Sequence, residues 1–164
     1  MFGGAHLHAR NGKSFPMFSF GDVIDLLEWS NNYNPNSTNQ SPILVHYLVT
    51  YQGVYAIKIE NLAILQQLQS ILNDKYDENG DLIDEIEKFN EKIERRFSRY
   101  QDGMDEPNGS PSEYEREFLK FMADFDGNGS RLGISLYKAD NALTNWDKLS
   151  LKEDESIEPT PCGN

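Results

Sequence analysis

Ile43-Leu44-Val45-His46-Tyr47-Leu48-Val49-Thr50, a break at Tyr51-Gln52-Gly53, then Val54-Tyr55-Ala56-Ile57-Lys58-Ile59-Glu60 is the stretch on which the fold turns. Both long segments are rich in β-branched and aromatic residues, and the short break between them carries a glycine, the pattern of an antiparallel hairpin. The first segment is apolar on nearly both faces, which predicts an inner strand. His46 lies inside it and reads as a histidine hydrogen-bonded at a sheet face rather than as a ligand.

Upstream, residues 2–8 read as another strand. Residues two apart on a strand face the same side, so His6 and His8 project together and Leu7 points away. A loop over 9–18 carries Gly12 and Pro16. A helix follows from Ser19 to about Ser30, with Val23, Ile24, Leu27 and Trp29 as its apolar positions. Ser19 and Asp22 give it a start resembling a capping box. Asn31 to Pro42 is Asn-, Ser- and Pro-rich and reads as an exposed loop.

Downstream of the hairpin the pattern turns helical. Leu62, Leu65, Leu68 and Leu72 mark one helix; Leu82, Ile86, Phe89, Ile93, Phe97 and Tyr100 mark a longer one whose other face is charged and solvated. Ser110-Pro111-Ser112-Glu113 joins an N-cap, a proline at the first helical position and a reciprocal acid. It opens a helix carrying Tyr114, Phe118, Phe121, Met122 and Phe125, a stripe at core spacing. Residues 133–138 suggest a last strand, with Trp146 and Leu149 packing after it. The acidic, proline-containing tail from Lys152 reads as frayed.

These elements predict an α+β fold, a small mixed sheet of the histidine strand and the hairpin, packed by several helices. Residues 1–73 form its core, 74–150 a helical extension with a final strand, and 151–164 the tail. At 164 residues the chain is long enough to bury such a core. Its 15 basic against 27 acidic residues leave a net charge of −12, which argues against a nucleic-acid surface. No run is long enough to span a bilayer and no signal-like segment is present, so no membrane partner is expected. The one cysteine, Cys162, has no internal disulfide partner and leaves the compartment open.

The chemistry concentrates in the first 22 residues. Two imidazoles on one strand face and a carboxylate at the head of the next helix could hold a divalent metal on three sides. A catalytic zinc takes three protein ligands and keeps one position for water, and His6, His8 and Asp22 supply such a set. Ser19, one turn before Asp22, could reach the rim and steady a developing oxyanion.

His6-x-His8, a loop, then Ser19-x-x-Asp22 opening a helix resembles the JAMM (MPN-domain) metallopeptidases, whose signature is H-x-H followed by S-x-x-D. The order of elements over residues 2–73 resembles that family as well. The resemblance implies a zinc site that hydrolyses amide or isopeptide bonds, with a protein or peptide as substrate. Ten residues separate His8 from Ser19, a long gap for the motif, and Ala9 stands where a proline often follows the second histidine. The family's general base is a glutamate well upstream of the histidines, and the five residues before His6 include none. Asp25, Glu28 and Glu60 lie near the motif in sequence but do not match that position. The strand at the very start of the chain suggests a downstream piece of a longer protein.

Two readings from other classes stand beside this one. A non-catalytic interaction module could retain the fold, and the edge beside the histidine strand could pair with a second chain. Asp124-Phe125-Asp126-Gly127-Asn128-Gly129-Ser130 imitates the front of a calcium loop, but Ser135 occupies the position of the bidentate glutamate. A glycine-rich turn is the simpler reading there, as it is for Asp77 to Asp81.

Overall fold

The computed structural model describes residues 2–9, 14–32, 44–73, 85–102 and 106–162. The readings of 33–42 as a loop, of 77–81 as a turn and of residues 81–84 as a helix start lie outside these. In chain order the elements are β1 (Phe2–His8), α1 (Phe20–Asn32), β2 (Leu44–Thr50), β3 (Gly53–Ile59), α2 (Leu62–Asn73) and α3 (Glu85–Phe97). A two-residue pair, β4 (Gln101–Asp102) and β5 (Glu106–Pro107), precedes α4 (Pro111–Ala123), β6 (Ile134–Ala139), β7 (Trp146–Leu151) and β8 (Ile157–Pro161).

Six strands form one sheet in the order β1-β2-β3-β6-β7-β8. The hairpin forms as its sequence predicts, with Thr50 opposite Gly53 and Val45 opposite Lys58. β1 runs parallel to β2, with Gly4 opposite His46 and His6 opposite Leu48. Parallel neighbours need a crossover, and α1 lies in it, making a β-α-β unit of the first three elements. The remaining neighbours are antiparallel. The fold is therefore α+β with a mixed sheet, larger than the sequence suggested. Trp146 and Leu149 belong to strand β7 rather than to loose packing, and the tail read as frayed supplies β8, hydrogen-bonded from Leu151↔Ile157 to Asp147↔Pro161. Prolines at 159 and 161 fit there because an edge strand leaves one row of N–H positions without a ladder partner.

The helices cover one face of the sheet. Leu44, Leu48, Tyr55, Ile57, Leu136 and Leu149 from the strands share one buried cluster with residues of all four helices. Phe18, Phe20, Phe118 and Phe121 are fully buried in it, and burying a phenylalanine is worth about 1.5–3 kcal/mol. Two of these four flank the start of α1. Phe20 packs on Phe89 at 5.1 Å and on Phe121 at 6.0 Å, and Phe18 on Phe118 at 5.9 Å. The Gly21 N–H also donates to Asn90 Oδ1 of α3 at 3.2 Å. The N-terminus of α1 is thus held from α3 and α4 while it faces β1 and β2. On the opposite sheet face, Leu7 and Val49 stand opposite each other in register and are 66% and 41% exposed.

Candidate metal centre

Alternation along β1 places Gly4, His6 and His8 on the helix-covered side and Ala5 and Leu7 outward. His6 and His8 meet edge to face, with ring centroids 4.7 Å apart and their Nε2 atoms 2.9 Å apart. The other His8 nitrogen, Nδ1, is 2.6 Å from the Phe15 carbonyl oxygen. A carbonyl only accepts, so the hydrogen-bond network puts the His8 proton on Nδ1 and a lone pair on Nε2. Burial pushes the His8 imidazolium down from its ordinary value and neighbouring His6 adds to this; the Phe15 carbonyl and Asp22 act the other way. The His8 ring is therefore disposed to be neutral, as a metal ligand must be.

Asp22 divides its carboxylate between two tasks. Oδ2 accepts the Ser19 backbone N–H at 2.7 Å and the Ser19 hydroxyl at 2.8 Å, and Ser19 Oγ accepts the Asp22 N–H at 3.3 Å. That reciprocal arrangement is the predicted capping box, with the negative charge at the favourable end of the helix dipole. Oδ1 is left to face His6 Nε2 at 3.3 Å. Asp22 is 7% exposed, so this carboxylate has given up most of its water and is compensated by the cap and the imidazoles.

Of the four residues the sequence placed at one site, His6 meets both His8 and Asp22, and Ser19 caps Asp22. The structure also adds His46, which the sequence reading set aside. His46 is 4% exposed, and its Nε2 lies 2.9 Å from His6 Nδ1 and 3.9 Å from Asp22 Oδ1. His6, Asp22 and His46 form a group whose ligand atoms lie within 4.8 Å of one another and could hold a metal ion. His8 joins the cluster through His6 Nε2. The signal for His46 was its alternation with Leu44 and Leu48, which turns it to the core face. Recognising it as a site residue also required knowing that β1 lies beside β2.

Other candidates go elsewhere. Asp124 Oδ1 accepts the N–H groups of Gly127 and Gly129 at 2.8 Å. Asp126 accepts those of Asn128 and Ser130, which with the Ser130 hydroxyl hold its carboxyl down at about 2. These oxygens close a turn on their own backbone instead of opening toward a calcium ion, and the next element is strand β6. Glu60 is bound by the Ser135 hydroxyl and by Lys148 at 3.0 Å. Asp25 Oδ2 stands 4.0 Å from His46 Nδ1 and is half exposed. The aromatic stripe Tyr114, Phe118, Phe121 and Phe125 is core, as its spacing indicates. Among the described residues, no helix is long and apolar enough to cross a membrane.

Comparison with protein-family models, curated proteins and solved structures returns no match.

Proposed function

We propose that this chain is a JAMM-like zinc-dependent hydrolase domain acting on amide or isopeptide bonds, with zinc held by His6 Nε2, His8 Nε2 and Asp22 Oδ1. The observation that carries the reading is the approach of these atoms, at 2.9 Å and 3.3 Å from His6 Nε2. Donors about 2.0–2.1 Å from a tetrahedral zinc lie roughly 3.3 Å from one another; the His6–Asp22 spacing matches that value and the His6–His8 spacing is shorter. Two imidazoles and a carboxylate are also the chemistry zinc accepts.

The chemistry zinc supplies in such a site is Lewis acidity toward a water and toward a substrate carbonyl. The chain's own residues do the rest. The Phe15 carbonyl orients His8, the capping box orients Asp22, and Phe18 lies against the rings of His6 and His46 at 6.4 Å and 5.9 Å. Ser19 gives its hydroxyl proton to Asp22 Oδ2 at rest. Turning that proton toward a substrate carbonyl would make it the oxyanion donor. The base that takes the proton from water is a glutamate in the family and has no counterpart among the five residues before His6.

One surface feature favours a competing reading, an interaction module that keeps the fold. The outward Leu7–Val49 pair, beside edge strand β1, would give such a module an apolar surface for a protein partner or a second copy. Metal analysis separates the two. After exposure to zinc and dialysis at neutral pH, the hydrolase reading expects about one zinc per chain, lost in His6→Ala and His8→Ala. Protein that remains metal-free yet folded would leave the interaction module.

A further inference from the structure

We propose that His46 is a positioning residue of this centre: it fixes the tautomer of His6 so that a lone pair on Nε2, and not an N–H, faces His8 and Asp22. The inference rests on the zinc reading above. It rests on the carbonyl partners that fix the His8 and His46 rings and on the cation that decides between the two places open to the His6 proton.

His46 Nδ1 is 3.3 Å from the Asp22 carbonyl oxygen and 4.0 Å from Asp25 Oδ2. Both neighbours only accept, so Nδ1 carries the proton and Nε2 the lone pair. That lone pair points at His6 Nδ1, 2.9 Å away, and offers an acceptor for a proton there. A neutral imidazole has one N–H. With it placed on Nδ1, His6 Nε2 is bare where it meets the bare Nε2 of His8 and the Asp22 carboxylate. In the opposite tautomer His6 Nε2 would donate toward His8 Nε2 and Asp22 Oδ1 and set two lone pairs against each other across the 2.9 Å contact with His46; a cation held among Nε2, Nε2 and Oδ1 removes that alternative and leaves the His6 proton to His46. Two backbone carbonyls, of Phe15 and Asp22, thus set the protons of His8 and His46, and with a cation at His6 Nε2 the third proton falls to His6 Nδ1, where His46 accepts it. A metal-bound histidine ordinarily donates its second N–H to such an outer partner, which orients the ring and raises its basicity.

The His46 ring is held to keep this role. Trp29 packs over it at 5.0 Å and Phe18 approaches at 5.9 Å. Gly4, opposite His46 in the parallel register, makes room for the indole, since a Cβ there would come within 2.4 Å of Trp29 Cη2. Asp22 anchors both ends of the relay, its carbonyl on His46 and its carboxylate in the site.

The test measures zinc affinity by competition with a chromogenic chelator, for the native protein and for His46→Phe, His46→Gln and His8→Ala. Phe cannot accept the His6 N–H, whereas the Gln side-chain carbonyl can. The expected result is a loss of about 10–100-fold for His46→Phe, with one zinc still bound at saturation. His46→Gln should lie within a few-fold of native, and His8→Ala should lose stoichiometric binding. Native affinity in a folded His46→Phe overturns the proposal. So does loss of zinc in His46→Gln with retention in His8→Ala, which would make His46 itself the ligand. Imidazole nitrogen shifts of the zinc-loaded native protein give a check independent of any variant's folding. Protons on His6 Nδ1 and His46 Nδ1 support the relay, and zinc on His6 Nδ1 or on His46 overturns it. Failure of the zinc reading would show instead as a folded native protein that takes up no zinc.

Discussion

Two helices of this protein begin with the same device and put it to different ends. α1 opens on Ser19-Phe20-Gly21-Asp22 and α4 on Ser110-Pro111-Ser112-Glu113, each with a serine cap and an acid three residues on. In α4 the box is complete and exposed: Ser110 N–H and Oγ both donate to Glu113 Oε2, at 2.7 Å and 2.9 Å. It caps the start of a helix. In α1 the acid is buried, and only one of its oxygens serves the cap while the other faces His6. The motif does not separate a cap from a ligand; the strands behind it do. Three histidines on β1 and β2 place one of two equivalent acids in a group that could hold a metal ion.

Substitutions can break that contrast or sharpen it. The largest effect is expected from Asp22→Ala, which removes a proposed ligand. It should weaken zinc binding by more than the roughly 10–100-fold of a lost outer partner, whereas Glu113→Ala should leave chelator competition unchanged. Next is Gly4→Ala, whose new Cβ would collide with the Trp29 ring. Overpacking of this kind costs about 1–3 kcal/mol, readable in denaturant unfolding, and the displaced indole should loosen zinc as well. Smaller is Ser110→Ala, at about 1 kcal/mol for a lost N-cap, with zinc affinity untouched. Ser19→Ala should cost comparable stability and also weaken zinc, because the same hydroxyl holds the liganding carboxylate.

The smallest effects are those of pH. The Ser110 amide, then its hydroxyl, hold the Glu113 carboxyl below its ordinary range. Asn145 and the Thr144 amide hold Asp140 down at about 2, as the turn amides do Asp126. A carboxyl depressed on folding contributes stability that is present above its unfolded value and lost as pH falls through the folded one. Urea midpoints should therefore hold steady above pH 5 and fall progressively toward pH 2. Asp140→Asn should flatten part of that slope near its lower end.

Much of this fold was legible in the sequence, for reasons that can be named. The hairpin announces itself because both segments are β-branched and one is inner; α4 does so because its aromatics fall at helical spacing. β7 is nearly silent, since only Leu149 of its six residues is fully buried and the rest are half-covered. β8 hides behind two prolines, tolerated only because it is an edge. In the site, His6, His8 and Asp22 are local and follow from strand alternation and a helix cap. His46 is 40 residues from His6 and reaches it through the parallel pairing of β1 with β2, a tertiary fact that no local pattern records.

The most direct test of the centre is X-ray absorption at the zinc edge of zinc-loaded protein at neutral pH. The account predicts two imidazole nitrogens and carboxylate or water oxygen at about 2.0–2.1 Å, falling to one imidazole or to no bound zinc in His8→Ala. Three imidazoles in the native spectrum, or a spectrum unchanged by His8→Ala, would contradict it.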